Sequence, residues 1–239
     1  MSLASAFFWV TVMLVNSMAW KVVGFAFPPS ARPVAAVVAV LLSEECLRPV
    51  VSRQCARLIG ELERRATKLG HPSLTLIEKL TIFLGVGFGQ GFAHACLLFL
   101  NTVVIAGGQG TYFAPQCPQM PYFLVTAINS ACFFVVLSMA MVVTPIVAFT
   151  PQQGPAFARR RAPGARLRAL IPAGFHAACT CVTLGNLVDG GCVPSSVCNG
   201  AFAIGASAIT AHLLLKDGGV PAARALWKGG QPSGNPAVA

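Results

Sequence analysis

The sequence predicts an all-α polytopic membrane protein: a transmembrane helix bundle over 1–217 with six spans, followed by a disordered tail over 218–239. Three observations carry that prediction. Hydrophobic residues make up 55% of the 239 and charged residues only 10%, against about 25% charged in an ordinary globular domain. The mean hydropathy is +0.70. The charges also cluster, leaving six long apolar stretches nearly free of them. This composition excludes a secreted disulfide scaffold, a disordered chain and a water-soluble enzyme. Transmembrane strands alternate apolar and polar residues, whereas these runs are apolar all round. Without water to satisfy the backbone, the remaining choice is helix.

A span needs about 20 mainly apolar residues, and they fall at 3–27, 34–51, 75–106, 121–149, 169–189 and 194–215. The first lacks a basic n-region and its apolar core is too long for a signal peptide, so cleavage is not expected. The third and fourth exceed a minimal span and are expected to tilt or project, with Pro145 placed to kink the fourth. The tail is rich in Gly, Pro and Ala, a composition that buries too little apolar surface to fold. Orientation follows from the basic residues. Arg53, Arg57, Arg64, Arg65 and Lys68 follow the second span, Arg159, Arg160, Arg161, Arg166 and Arg168 follow the fourth, and Lys216, Arg224 and Lys228 end the chain. The opposite side offers Arg32, while 107–120 and 190–193 hold no Lys or Arg. Both termini are therefore expected in the cytosol. The same placement explains the net charge of +10 without nucleic acid, which would need a basic, aromatic-lined face on a soluble domain.

Of nine cysteines, Cys46, Cys96, Cys132, Cys179 and Cys181 lie in or at the ends of spans, where a thiol acts as a small hydrophobe, and Cys55 lies in a basic loop. Only Cys117, Cys192 and Cys198 fall where they could face an oxidising lumen, which allows one bridge without choosing the pair. No zinc spacing stands out, so neither a metal nor a cofactor is expected.

Polar residues inside a span need partners, because hydrocarbon satisfies none of them. In the third span Gly85, Gly89 and Ala93 are spaced four apart and form a smooth groove, and Gly87 and Gly91 add a second, rotated small face. Small residues at this spacing admit a close helix neighbour, and two faces suit two neighbours. His94 lies deep in the same span, and His176 about 10 Å inside the fifth. For both, the residue type fits a neutral imidazole hydrogen-bonded between helices better than a proton or metal role. His71 is in a loop, and His212 reaches the interface near the end of the last span. Glu44 and Arg48 stand four apart, in the order that suits a helix ion pair or snorkelling to the interface.

An intramembrane aspartyl protease needs two carboxylates at one depth. The aspartates, Asp189 and Asp217, lie roughly a bilayer apart. Ser138 and His176 on adjacent spans lack a nucleophile-elbow context. No catalytic residue is assigned, and the loops are too short for a catalytic module. What remains is a membrane scaffold, with a small-solute transporter or channel using His94 and His176 as the alternative.

The residues resemble a particular family, the anterior-pharynx-defective scaffold subunit of γ-secretase, over about 6–216. Phe7-Phe8-Trp9 with Trp20 is similar to that family's second span, and Leu41-Leu42-Ser43-Glu44 to its third. Gly85-x-x-Phe88-Gly89-x-x-x-Ala93 resembles the glycine motif of its fourth span, with Ala replacing the last Gly. Pro121-Tyr122-Phe123 is similar to the start of the fifth, His176 with Thr183 and Asn186 to the sixth, and Ile209-Thr210-Ala211 to the seventh. The family has seven spans and a lumenal N-terminus. Six spans with a cytosolic N-terminus is what deletion of the first helix predicts, through a late gene model or a loss in the lineage. Ser138 stands where the family carries a second histidine. Its hydroxyl can still hydrogen-bond His176, with His94 as a compensating group. His212 falls where the family has a small residue.

The resemblance implies a non-catalytic subunit that stabilises presenilin, with nicastrin and the small presenilin-enhancer subunit as further partners besides membrane lipid. It implies intramembrane processing of type I membrane proteins, Notch-type and amyloid-precursor-type, in the endoplasmic reticulum, Golgi and plasma or endosomal membranes. It also implies that the glycine groove serves assembly and that His176 fixes neighbouring helices.

Overall fold

A computed structural model describes residues 2–28, 31–72, 74–105, 113–148 and 170–216. Among the described residues six helices follow in order: α1 (Ser2–Val23), α2 (Arg32–Lys68), α3 (Leu76–Ile105), α4 (Tyr122–Ala148), α5 (Ile171–Thr183) and α6 (Cys192–Lys216). Short 3-10 turns, Gly24–Ala26 and Leu184–Leu187, extend α1 and α5. The described residues contain no strand element. The arginines expected at 159–168, Asp217, the cations of the tail and the tail itself lie outside the described residues.

Helices α1, α3, α4 and α6 are each long and apolar enough to cross a membrane. The protein is therefore an integral, polytopic α-helical bundle. The other two helices fall short for separate reasons. Helix α2 carries Glu44, Glu45 and Arg48 within its apolar part, and the described part of α5 has 13 residues.

Helix α2 also corrects the sequence reading. The segment after 51, expected as a basic loop, continues as helix to Lys68. Its charges lower the hydropathy and hide a helix, because Arg, Glu, Leu and Ala are all strong helix formers. Ser52, Cys55 and Ile59 recur at helical spacing and are buried. Cys55 and Ile59 join Phe83, Val86 and Met141 in one apolar cluster, so Cys55 is a core residue and not a loop thiol. A 2.6 Å ion pair between Glu63 and Lys79 ties α2 to the start of α3. There Thr75 and Glu78 form a capping box: the Glu78 N–H donates to Thr75 Oγ1 at 3.3 Å, and Thr75 N–H donates to the Glu78 carboxylate at 2.7 Å.

Helix α3 packs between α1 on one side and α4 on the other. Helices α5 and α6 close over α4 around Phe133, Val136, Cys179 and Ala206. At the end of the bundle where α6 begins, Cys117 and Cys192 form a disulfide with Cα atoms 5.8 Å apart, while Cys198 is exposed and free. Gly190 takes φ +72°, which a side chain would resist, and its N–H donates to Gln116 C=O at 2.9 Å. The bridge closes 75 residues. A loop of that length corresponds to about 4 kcal/mol of chain entropy. Cys117→Ser should therefore lower the melting temperature in mild detergent by roughly 10 °C, and a reducing agent should reproduce that shift in the parent protein. Unchanged melting of Cys117→Ser would show that the bridge does not hold this end of the bundle.

Candidate functional site: the close-packed helix and the buried polar lock

The small residues of α3 divide between two neighbours. A β-carbon at Gly89 would fall 2.7 Å from Ser5 Cβ and 2.8 Å from the Ala6 nitrogen, both on α1. At Gly87 it would fall 2.7 Å from the Ser138 carbonyl oxygen, and at Gly91 2.7 Å from that of Phe134, both on α4. Real side chains do not tolerate such distances, so glycine sets how closely these backbones approach. Ser5 Oγ donates to the Val86 carbonyl at 2.7 Å, which fixes α1 on this face. Ala93 is buried and Gly85 is half-buried. The groove is thus occupied from within the chain, by α1.

One and two turns along α3 from Val86, Gln90 and His94 point to a cluster of ionisable side chains. Glu44 on α2 is at its centre and has no exposed surface. Its Oε1 lies 3.3 Å from His94 Nδ1, and its Oε2 lies 3.6 Å from His176 Nε2 on α5. Gln90 Nε2 reaches the same carboxylate at 3.5 Å. His176 turns its other nitrogen to Glu45, with Nδ1 2.7 Å from Oε1. Arg48 pairs with that Glu45 at 2.9 Å, three residues back, rather than with Glu44 four residues back. Phe133 of α4 stacks on His94 at 5.0 Å between centroids and meets His176 edge-on at 6.2 Å. The two imidazoles stand 6.4 Å apart.

The chemistry of this cluster is cross-linking. Helices α2, α3 and α5 each supply groups that the low-dielectric interior would otherwise leave unsatisfied. Among the described residues, no group of three His, Cys, Asp or Glu is arranged to hold a metal ion.

The expected residues do not all enter the lock. Ser138 is buried, yet its hydroxyl has no hydrogen-bond partner and does not bond His176. Its backbone is instead the seat for Gly87. His94 occupies the second histidine position of the cluster, reaching it from α3. Asn186, expected to be buried, is only half-buried, because α5 ends at Thr183 and the chain passes into a 3-10 turn. Sequence reasoning missed Glu45 and Gln90, and also the Asn199–Asn129 hydrogen bond of 2.9 Å that joins α6 to α4. The signal available was polarity itself: Gln90 and Asn129 are isolated polar residues in apolar runs.

Fold and site together define a multi-pass helical membrane protein whose helices are clamped by glycine seats and an intramembrane ionic cluster. A family model described as Aph-1 protein matches residues 1–216. The chain is also similar to the gamma-secretase subunit APH1-like of Arabidopsis thaliana, at 28% identity over 196 residues, covering 80% of this chain and 72% of that one. The chain belongs to the Aph-1 protein family, the family its motifs resemble.

Proposed function

We propose that this chain is the non-catalytic scaffold subunit of a γ-secretase-like complex. In this reading it stabilises presenilin, with nicastrin and the presenilin-enhancer subunit as further partners, and supports intramembrane cleavage of type I membrane proteins. The γ-secretase setting is supported by family membership and by the name of the Arabidopsis relative. One observation carries the scaffold role: the buried polar groups of α2, α3 and α5 face one another and tie the three helices together. Solute passage along His94 and His176 fits less well, since the rings are 7% and 1% exposed and lie against carboxylates.

Positive charge on the C-terminal part of α2, on 159–168 and on the tail, and the disulfide at the end where α6 begins, support cytosolic termini and a lumenal bridge. Residence in the endoplasmic reticulum, Golgi and later membranes follows from the same reading. Affinity capture of the tagged chain from its own cells is the test: it should carry presenilin and nicastrin with it, and capture of neither would refute the proposal.

A further inference from the structure

The outer face of α2 past residue 51 is the strongest feature that the scaffold reading leaves unexplained. Arg53, Arg57, Arg64 and Lys68 repeat at spacings of four, seven and four, which places them along one stripe of the helix. All four are exposed, opposite the buried Cys55 and Ile59. Arg64 has a partner, Glu61 at 2.7 Å. Among the described residues, no hydrogen bond or ion pair engages Arg53 or Arg57. Beside the stripe, Leu58 and Leu62 are also exposed, at 37% and 39%.

Depth makes this arrangement informative. Cys55 and Ile59 share a cluster with Phe83 and Val86 of α3, whose uncharged stretch begins at Leu80, after Glu78 and Lys79. At 1.5 Å per residue, Phe83 and Val86 lie about 5 and 9 Å into that stretch. Arg53 and Arg57 stand at about this level on the outer surface, so they are at the hydrocarbon edge and not in free solution. An arginine there extends its guanidinium to the phosphate layer and requires an anion.

We propose that Arg53 and Arg57 bind the phosphate of anionic phospholipid headgroups in the leaflet they face. Acyl chains lie against Leu58 and Leu62, and Arg64 and Lys68 extend the positive field outward. The guanidinium fork matches phosphate oxygens in pairs, and a basic stripe flanked by leucines is the pattern of an anionic membrane surface. The inference rests on α2 lying in the membrane and holds whether or not the chain joins a secretase complex.

The test uses the full chain in mild detergent, titrated with phosphatidylserine or phosphatidylcholine and read by native mass spectrometry. The parent protein should retain phosphatidylserine in preference to phosphatidylcholine, and added salt should weaken that preference. Each Arg→Gln change should lower it about fivefold, so that Arg53→Gln/Arg57→Gln approaches parity. Lys21→Gln should leave it intact, and Arg53→Lys/Arg57→Lys, which keeps the charge but not the fork, should fall between the parent and the glutamine pair, which guards against a folding defect in the latter. No preference in the parent, or a preference that survives the double glutamine change, overturns the proposal. So does a photocrosslinker at position 57 that captures an acidic protein segment while lipid selectivity is absent, which would assign the stripe to a protein partner.

Discussion

Replacing Gly89 with leucine should disable the subunit. Even a single β-carbon there meets the α1 backbone and Ser5 at distances that side chains do not adopt, and the obstacle is backbone rather than a flexible tip. Ordinary overpacking costs about 1–3 kcal/mol. Leucine at a backbone-to-backbone seat should reach or exceed the top of that range, because α1 can yield only by leaving α3. The expected result is graded, with Gly89→Ala destabilised and Gly89→Leu recovered in low yield without partners. Gly200 of α6 supplies the control, since a β-carbon there meets nothing within 4 Å. Gly200→Leu should change stability by no more than about 0.5 kcal/mol. If Gly89→Leu melts like the parent and recovers partners at the parent's yield, the seat does not hold the bundle.

The second large effect is at Glu44. Its carboxylate accepts from Gln90 and lies within ion-pair distance of His94 and His176. Glu44→Leu removes all three contacts at once and leaves the remaining groups buried, which costs about 3–5 kcal/mol when one partner of a buried ionic site is lost. Glu44→Gln keeps a carbonyl acceptor and should cost less. Ser138→Ala should differ sharply from both. Its hydroxyl is buried without a partner, so removing it costs no hydrogen bond and should leave stability within about 1 kcal/mol of the parent. Thermal melts of the purified variants give the order directly. A Ser138→Ala protein as unstable as Glu44→Leu would place the second polar anchor on α4 and not at His94.

The sequence discloses the helices better than their partners. Apolar length alone indicates α1, α3, α4 and α6, because a lipid-facing helix has little choice of residue. The C-terminal half of α2 was concealed by its arginines, although Ser52, Cys55 and Ile59 marked a buried face. The two small faces on α3 were legible from the spacing of Gly85, Gly89 and Ala93 against Gly87 and Gly91. The helix filling each face was not, since glycine records how closely a neighbour comes and not which neighbour it is. Partner choice in the lock was hidden for a related reason. Glu44 meets His94 and His176 through the relative depth of three helices, and sequence separation does not encode depth. Local rules even favoured Arg48 as the partner of Glu44, whereas tertiary contacts drew Glu44 inward and left Arg48 to Glu45.

A clamped bundle that serves as an assembly platform carries its partners with it. The most direct measurement is affinity purification of the tagged chain from its own cells in mild detergent, with mass spectrometry of what accompanies it. Presenilin and nicastrin should be recovered with the parent and lost together with Gly89→Leu. A homogeneous preparation of the folded parent chain carrying neither protein would contradict the account.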